Sequence, residues 1–478
     1  MEGRSLRPFL LAVILVLSNS ANGMRLPLDV ETGFLNATDG MEVIGDMIIP
    51  DELHNYLTTL NIQRKVIAAP DYRWPEEGGF PTVPYKISSS VSRYADVIME
   101  GMKHWQQHTC IKFREYTGND KSYVDFVKDS GCWSNVGRIS RTEPQKISIG
   151  SGCQYLGTVV HEIGHAVGFI HEQMRPDRDQ FLHINFDNVA SSNYAQFAKY
   201  SLNSYFTYQV EYDYTSVMQY GGTDFTANGK LTMATEKAEY QGLLGRGQVL
   251  SHRDKLAVNR HYECIDKWAA ACDVAKGSCQ NGGYLGKGCS CVCPSGTSGR
   301  SCEQKDAGYY DAELPSCSRR ITEETVITSP NYPNSIPRDT WCVYQIQAPA
   351  GMIVKLTFDY FNLERYTSSG SLRCATAFLE IRDFDRYEGN IACGTDIRSQ
   401  ESIVSNSTDM ILYLDTPYSA SSKGFKARVS FVKEDEQRGA PFNPVNPTTE
   451  GSAPGLFASY WISLTVVIFT RASLYAYE

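Results

Sequence analysis

The chain has 478 residues, a formal net charge of −9 and 14 cysteines. The negative balance argues against a nucleic-acid partner, and the length allows about three domains of about 150 residues each. The cysteines fall into three groups of four, six and four residues, spanning 110–264, 272–302 and 317–393. This grouping predicts three modules, each stabilised by its own disulfides.

The first 23 residues have the pattern of a secretory signal peptide. Arg4 and Arg7 precede an unbroken apolar run from Phe9 to Leu17, and small residues follow. The run is too short for the alternative, a membrane anchor. We therefore expect a secreted, extracellular protein with disulfides, and its two sequons, at Asn36 and Asn406, are predicted glycosylation sites.

A histidine-rich stretch, HEIGHAVGFIHE, spans residues 161–172. On a helix His161 and His165 lie one turn apart on the same face, with Glu162 beside them. Gly168 then ends the helix, because glycine tolerates a left-handed turn, and His171 returns toward the same ion. Three protein ligands leave a position for water, as catalytic zinc requires. A chance pair of surface histidines is the alternative, but the pattern fixes five positions.

A second motif, SVMQY, follows at 216–220. The pattern HExxHxxGxxH with a later methionine turn is the metzincin signature. Residues 68–265 resemble the astacin family of zinc endopeptidases, whose mark among metzincins is a glutamate directly after the third histidine, here Glu172. The resemblance implies an α+β catalytic domain that binds one Zn2+ per subunit through His161, His165 and His171.

The same resemblance assigns roles to further residues. Glu162 would be the general base, Met218 would pack beneath the metal, and Tyr220 would be a further zinc ligand that stabilises the transition state. Glu172 would pair with the amino terminus of the mature enzyme. Spacing alone leaves three pairings of the four cysteines open, whereas the resemblance implies Cys110–Cys264 and Cys132–Cys153.

Residues 24–67 contain no cysteine and resemble an astacin propeptide. In that family a Phe-x-Gly-Asp motif places its aspartate at the water site of the zinc. Here the stretch reads Val43-Ile44-Gly45-Asp46, so Asp46 is the predicted latency ligand, although Val43 replaces the phenylalanine. The alternative is an ordinary Gly-Asp turn. Activation requires a second protease, and Arg64-Lys65 is a trypsin-like site close to the expected mature start.

Residues 268–303 resemble an EGF-like module. Six cysteines lie between Cys272 and Cys302, a stretch too short to build a core without disulfides. A zinc cluster is the alternative, but secretion disfavours it. The resemblance implies that the first cysteine pairs with the third, the second with the fourth and the fifth with the sixth, which gives Cys272–Cys289, Cys279–Cys291 and Cys293–Cys302.

Residues 317–432 resemble a CUB domain, on the segments SPNYPNSIP, WCVYQI and GFKARVSF and the strand-like alternation near 354–358. The resemblance implies an all-β sandwich with disulfides Cys317–Cys342 and Cys374–Cys393. Many CUB domains bind calcium through one glutamate and two aspartates. Glu364 and Asp415 occupy two of these places, but Ala377 stands at the third, so we expect no strong calcium site.

Residues 433–478 read as a Pro-rich linker and a short apolar tail. The apolar run covers 456–470, short of the roughly 20 residues that a membrane helix needs. A GPI-anchor signal is the alternative, but the final ASLYAYE is not an apolar end. We therefore expect no membrane attachment.

The sequence thus predicts a multidomain protein with a metzincin catalytic domain, an EGF-like module and a CUB sandwich. Its predicted function is that of a secreted zymogen of a zinc endopeptidase. Extracellular proteins are the expected substrates, with collagen, cuticle matrix and egg-envelope proteins as examples from the resemblance to worm and tolloid-like enzymes. The alternative is a binding or scaffold protein whose EGF and CUB modules act and whose protease domain is catalytically silent.

Overall fold

The computed structural model describes residues 41–59, 64–67, 72–200, 205–206, 209–275, 277–305, 314–365, 374, 376–417 and 421–434. The predicted signal peptide, the predicted glycosylation site at Asn36 and the apolar tail lie outside these residues. The described residues all belong to one of two compact units, which spans 1–444. Within the described ranges, no helix combines the length and the hydropathy needed to cross a bilayer.

The first nine strands belong mainly to one sheet, and their bounds are β1 Met41–Ile44, β2 Met47–Pro50, β3 Arg64–Ile67, β4 Glu76–Glu77, β5 Phe80–Ile87, β6 Lys112–Glu115, β7 Val124–Val127, β8 Cys132–Asn135 and β9 Gln145–Ile149. The main sheet has the order β1-β2-β8-β9-β7-β5-β4, with β6 paired to β5. Strand β2 runs parallel to β8, so the hairpin from the predicted propeptide extends the sheet of the catalytic domain.

The described residues contain five α-helices, namely α1 Asp51–Thr59, α2 Ala95–His108, α3 Leu156–Ala166, α4 His252–His261 and α5 Cys264–Cys272. Helix α2 is amphipathic and buries Ile98, Met102 and Trp105. Every residue of α3 from Gly157 to Ala166 is buried. The apolar side chains of α3 therefore form the centre of the main core, and the histidines on α3 are held on a rigid element.

The second half of the catalytic domain is mostly irregular. Its strands are β10 Leu182–Ile184, β11 Tyr205–Phe206 and β12 Met233–Thr235, with β10 paired to β12 and β11 to β3. Helix α4 begins with a capping box, in which the Ser251 side chain accepts from the Asp254 backbone and the Asp254 side chain accepts in return. Helix α5 runs without a break across the domain boundary predicted between residues 265 and 268.

A disulfide-rich segment follows α5. It has two small ladders, formed by β13 Tyr284–Leu285 with β14 Cys291–Val292, and by β15 Thr297–Ser298 with β16 Gln304–Lys305. Cys264 pairs back to the catalytic domain and Cys272 pairs forward into this segment, so the two ends of α5 are bonded to different modules.

The CUB region is a two-sheet sandwich. Its strands are β17 Arg319–Ile321, β18 Thr325–Thr328, β19 Thr340–Gln347, β20 Met352–Asn362, β21 Phe378–Arg382, β22 Asn390–Ala392, β23 Ser402–Val404, β24 Asp409–Thr416 and β25 Gly424–Lys433. One sheet has the order β17-β19-β24-β21-β22 and the other β18-β25-β20-β23. The alternating residues Val354, Leu356 and Phe358 lie in the core between the sheets.

Seven disulfides join the same cysteine pairs that the three resemblances imply. They are Cys110–Cys264, Cys132–Cys153, Cys272–Cys289, Cys279–Cys291, Cys293–Cys302, Cys317–Cys342 and Cys374–Cys393.

Candidate metal centre

Two of the three motif histidines lie on α3 and the third lies beyond its end. The helix ends at Ala166, and Gly168 then adopts φ +104°, a conformation that side chains disfavour. The resulting turn lets the Phe169 carbonyl accept a bond from His165 Nδ1 at 2.9 Å, while His161 Nδ1 donates to the Val217 carbonyl at 2.7 Å. These bonds fix the tautomer in which Nε2 carries the free lone pair.

The Nε2 atoms of the three histidines converge on the Asp46 carboxylate. Asp46 Oδ2 lies 3.1 Å from His161 Nε2, and Oδ1 lies 2.9 Å from His171 Nε2 and 3.5 Å from His165 Nε2. The four ligand atoms all lie within 4.8 Å of one another. The structure therefore brings together residues that are up to 125 positions apart in the sequence.

This donor set fits a zinc ion. Asp46 Oδ1 and His171 Nε2 face each other at 2.9 Å, yet both are buried and neither has a hydrogen-bond partner among the residues that the structure describes. Buried polar atoms are normally satisfied, and a cation bound by both would satisfy them. Three imidazoles with one carboxylate is a common tetrahedral zinc set. The chemistry of these four ligating groups therefore supports a zinc site.

Burial dominates the electrostatics of the centre. It lowers the pKa of His165 and of His171, which favours the neutral imidazole that binds metal. Glu162 is 1% exposed, and burial together with the Asp46 charge raises its pKa well above the ordinary value. Glu162 Oε2 has no hydrogen-bond partner among the described residues, so this carboxyl group is available to a reacting molecule.

The methionine turn packs directly against the zinc helix. Met218 is fully buried, and a Cβ atom on Gly164 would lie 2.9 Å from its sulfur. Gly164 therefore lets the thioether fit between the turns that carry His161 and His165. The Met218 carbonyl also accepts from the Glu172 backbone at 3.0 Å, which ties the turn to the third ligand.

Tyr220 packs against His171, the third histidine of the centre. Its ring centroid is 4.3 Å from that of His171, and its hydroxyl donates to Gln196 Oε1 at 3.4 Å. A Cβ atom on Gly45 would lie 2.7 Å from this hydroxyl and 2.6 Å from Gln196 Oε1. Glycine at position 45 is thus required both by its φ of +65° and by the close approach of two side chains.

Gln196 is a site residue that sequence reasoning did not find. It lies in a 3-10 helix, Ser191–Phe197, about 20 residues before the methionine turn, and belongs to no motif. Only the fold brings its side chain to Tyr220, and the sequence contains no signal for it.

Glu172 has a different partner from the one implied by the resemblance. Its Oε1 accepts from Arg175 Nη1 and from the Asp213 backbone, both at 2.9 Å. An amino terminus near residues 66–69 does not exist in the uncut chain, because residues 41–67 are still attached. In this form of the protein, Arg175 supplies the positive charge that a buried carboxylate needs.

The three positions that bind calcium in many CUB domains do not form a group of calcium ligands in the described residues. Ala377 is fully buried, and Asp415 is 1% exposed and bonded to Arg246. Within the described residues, no group of three ligating side chains includes Glu364 or Asp415. Asn406, the second predicted glycosylation site, lies at the exposed surface of the CUB domain.

The helix, the three histidines and the methionine turn define a metzincin-type catalytic domain with a zinc site. Residues 66–263 match the family model described as Astacin (Peptidase family M12A), and residues 317–429 match that of the CUB domain. The chain belongs to the astacin family, and the sequence prediction of an astacin domain and a CUB domain is confirmed.

Curated relatives match most of this chain. Blastula protease 10 from Paracentrotus lividus is 38% identical over 378 residues, which are 77% of this chain and 60% of the relative. Zinc metalloproteinase dpy-31 from Teladorsagia circumcincta is 32% identical over 435 residues, 86% of this chain and 67% of the relative. The chain thus spans about three fifths of the length of the first of these relatives.

Among solved structures, High choriolytic enzyme 1 from the medaka Oryzias latipes, a hatching enzyme zinc-protease, aligns with 30% identity and a TM-score of 0.37. The alignment covers 41% of this chain and 96% of that chain.

Proposed function

We propose that this chain is the secreted zymogen of a zinc endopeptidase that hydrolyses peptide bonds in extracellular proteins. The observation that carries the proposal is the contact of the Asp46 carboxylate with the Nε2 atoms of all three histidines. A silent protease domain would have no need of an internal ligand that blocks its metal site.

The three histidines would hold the zinc ion, which would lower the pKa of a bound water toward neutrality. Among the described residues, Oε2 of the neighbouring Glu162 has no hydrogen-bond partner, which supports a role as the base that takes a proton from the attacking water and returns it to the leaving amine. We infer that the Tyr220 hydroxyl donates to the developing oxyanion, which the packing of its ring against that of His171 supports.

The hairpin of β1 and β2 explains latency in two ways. Its turn brings Asp46 into contact with the histidines, and we infer that this carboxylate takes the place of the reacting water. Its second strand also bonds along the edge of β8, where Ser134 donates to the Asp46 carbonyl at 2.9 Å and Val136 to the Ile48 carbonyl at 3.2 Å. A polypeptide substrate is therefore kept from the same edge until the propeptide is removed.

Removal of the propeptide requires a cut by an activating protease between the hairpin and the catalytic domain. Arg64 and Lys65 lie in β3, between α1 and the start of the matched family domain at residue 66. A protease with trypsin-like preference is the proposed partner for this step.

Secretion and the substrate class are inferred from the chain's chemistry and from its relatives. All 14 cysteines are paired, as expected in an oxidising extracellular compartment. The relatives include a blastula protease and worm proteins named dpy-31. We include extracellular matrix, cuticle and egg-envelope proteins in the proposed substrate class, and we assign the six-cysteine segment as an EGF-like module.

Zinc content and hydrolysis of a generic protein test the proposal together. We expect one zinc per processed chain, hydrolysis that stops when a chelator removes the metal, and recovery when zinc is returned. A metal-free chain without hydrolysis would instead support the binding or scaffold function.

The latency role of Asp46 has its own test. We expect Asp46→Ala to raise the hydrolytic rate of the unprocessed chain by about 10- to 100-fold, because a bond to a charged group is worth about 1.5–3 kcal/mol. The measurement is the rate on a quenched peptide with the propeptide still attached. Asp51→Ala is the matched control, since Asp51 is exposed in the same propeptide. Equal rates for the two variants would contradict the role of Asp46.

A further inference from the structure

The five-stranded sheet of the CUB domain is apolar on both faces. On β19, Cys342, Tyr344 and Ile346 enter the core of the sandwich, whereas Trp341 and Val343 point the opposite way and are also buried. An antiparallel sheet commonly leaves one face to solvent. A second apolar face therefore requires a covering surface.

The covering surface is the catalytic domain of the same chain. Trp341 and Val343, joined by Phe378 and Tyr413 from β21 and β24, form one buried cluster with side chains from the second half of that domain, among them Leu231, Met233, Leu243 and Leu244. The indole of Trp341 lies flat on the backbone at Gly242, where an added Cβ atom would overlap the ring. Glycine at 242 is thus what admits the tryptophan.

An ion pair lies within this contact. Arg246 of the catalytic domain donates to Asp415 Oδ1 at 2.9 Å and also bonds the Asp339 carboxylate. Asp415 is 1% exposed, and Tyr413 donates to its other oxygen at 2.6 Å. A buried carboxylate requires a counter-charge and hydrogen bonds. Here the Arg246 guanidinium is supplied by the neighbouring domain.

Polar contacts surround the apolar centre. Lys230 Nζ lies 2.6 Å from Glu388 Oε1, and the Tyr387 hydroxyl donates to Glu236 at 2.9 Å. The Tyr387 ring also stacks on His183, with the two ring planes 11° apart. An apolar centre with a polar rim is the usual anatomy of a stable protein interface.

We propose that the CUB domain is permanently docked on the catalytic domain through this outer sheet face, with Arg246 as the counter-charge of Asp415. The CUB domain is then a fixed part of the peptidase and not a separately moving binding module. Any external partner of the CUB domain must use the other sheet, which contains β18, β25, β20 and β23, because the first sheet is covered.

Zero-length cross-linking of the full chain tests the docking. A carbodiimide joins a lysine amine to a carboxylate in direct contact, with loss of one water. We expect a Lys230–Glu388 amide, identified by mass spectrometry, in a yield similar to that of Lys267–Glu76, a pair that joins α5 to β4 with the same 2.6 Å separation. Formation of the second amide without the first would overturn the proposal.

Two variants disrupt the contact by different means. Gly242→Val places a side chain against Trp341, and Arg246→Glu reverses the charge opposite Asp415. Both should lower the Lys230–Glu388 yield by about tenfold or more relative to Lys267–Glu76, since breaking a buried ion pair or overlapping a packed ring is strongly unfavourable.

The matched controls are Gly288→Val, at an exposed glycine with open space around it, and Lys103→Glu, at an exposed lysine on α2. Both controls should leave the ratio of the two yields unchanged. If Gly242→Val and Arg246→Glu also leave the ratio unchanged, the docking through this face is wrong. The readout does not depend on zinc or on peptide hydrolysis, so it is separate from the proposed function.

Discussion

Replacing Glu162 by glutamine should lower kcat of the processed enzyme by about 10²- to 10⁴-fold, the usual contribution of a general base. The amide has nearly the same shape as the carboxyl group but cannot accept a proton from water. The three histidines are untouched, so one zinc per chain should remain bound. The measurement combines steady-state hydrolysis of a peptide with metal analysis of the same sample.

The control for this variant is Glu100→Gln, which makes the same chemical change at an exposed position on α2. It should retain both zinc and full activity. A fully active Glu162→Gln enzyme would refute the assignment of the base. An inactive variant that had also lost its zinc would show that Glu162 supports the metal site instead.

Replacing Arg175 by alanine should lower the free energy of unfolding by about 3–5 kcal/mol, because it removes the positive charge that faces the buried Glu172 carboxylate. The Glu172 side chain is 0% exposed and that of Arg175 is 1% exposed. Arg175 also bonds both carboxylate oxygens of Asp177, at 2.8 and 2.7 Å. The measurement is urea denaturation of the full chain followed by tryptophan fluorescence.

Arg114→Ala is the matched control for this loss of stability. Arg114 also bonds two carboxylates, those of Glu77 and Asp120, but its side chain is 31% exposed. Surface ion pairs contribute about 0–1 kcal/mol, so this variant should be nearly as stable as the wild type. Equal destabilisation by the two changes would mean that burial is not the reason for the importance of Arg175.

The docked CUB domain changes how the modular sequence is understood. Each group of cysteines forms its own disulfides, as the spacing predicts, yet one apolar cluster includes Leu243 from the catalytic domain and Trp341 from the CUB domain. The grouping of disulfides therefore predicts where the modules of this chain lie. It does not predict whether the modules move independently of one another.

The sequence by itself determined the catalytic class. The spacing of His161, Glu162 and His165 is local, because the pitch of a helix places residues four apart on one face. The role of Gly168 could also be predicted from the sequence, because it depends only on the backbone conformation of that one residue. The CUB strands could be predicted for the same reason, from the alternation at 354–358.

Only the tertiary structure decided which distant residues meet. The convergence of Gln196 on Tyr220 and of Arg246 on Asp415 joins segments that share no sequence pattern. The contact of Asp46 with the histidines differs, because the resemblance to an astacin propeptide already implied it. The sequence of β19 shows that both faces of the strand are apolar. It does not predict which surface covers the outer face. Burial and counter-charge are properties of the packed molecule, so they become visible only when the domains are placed together.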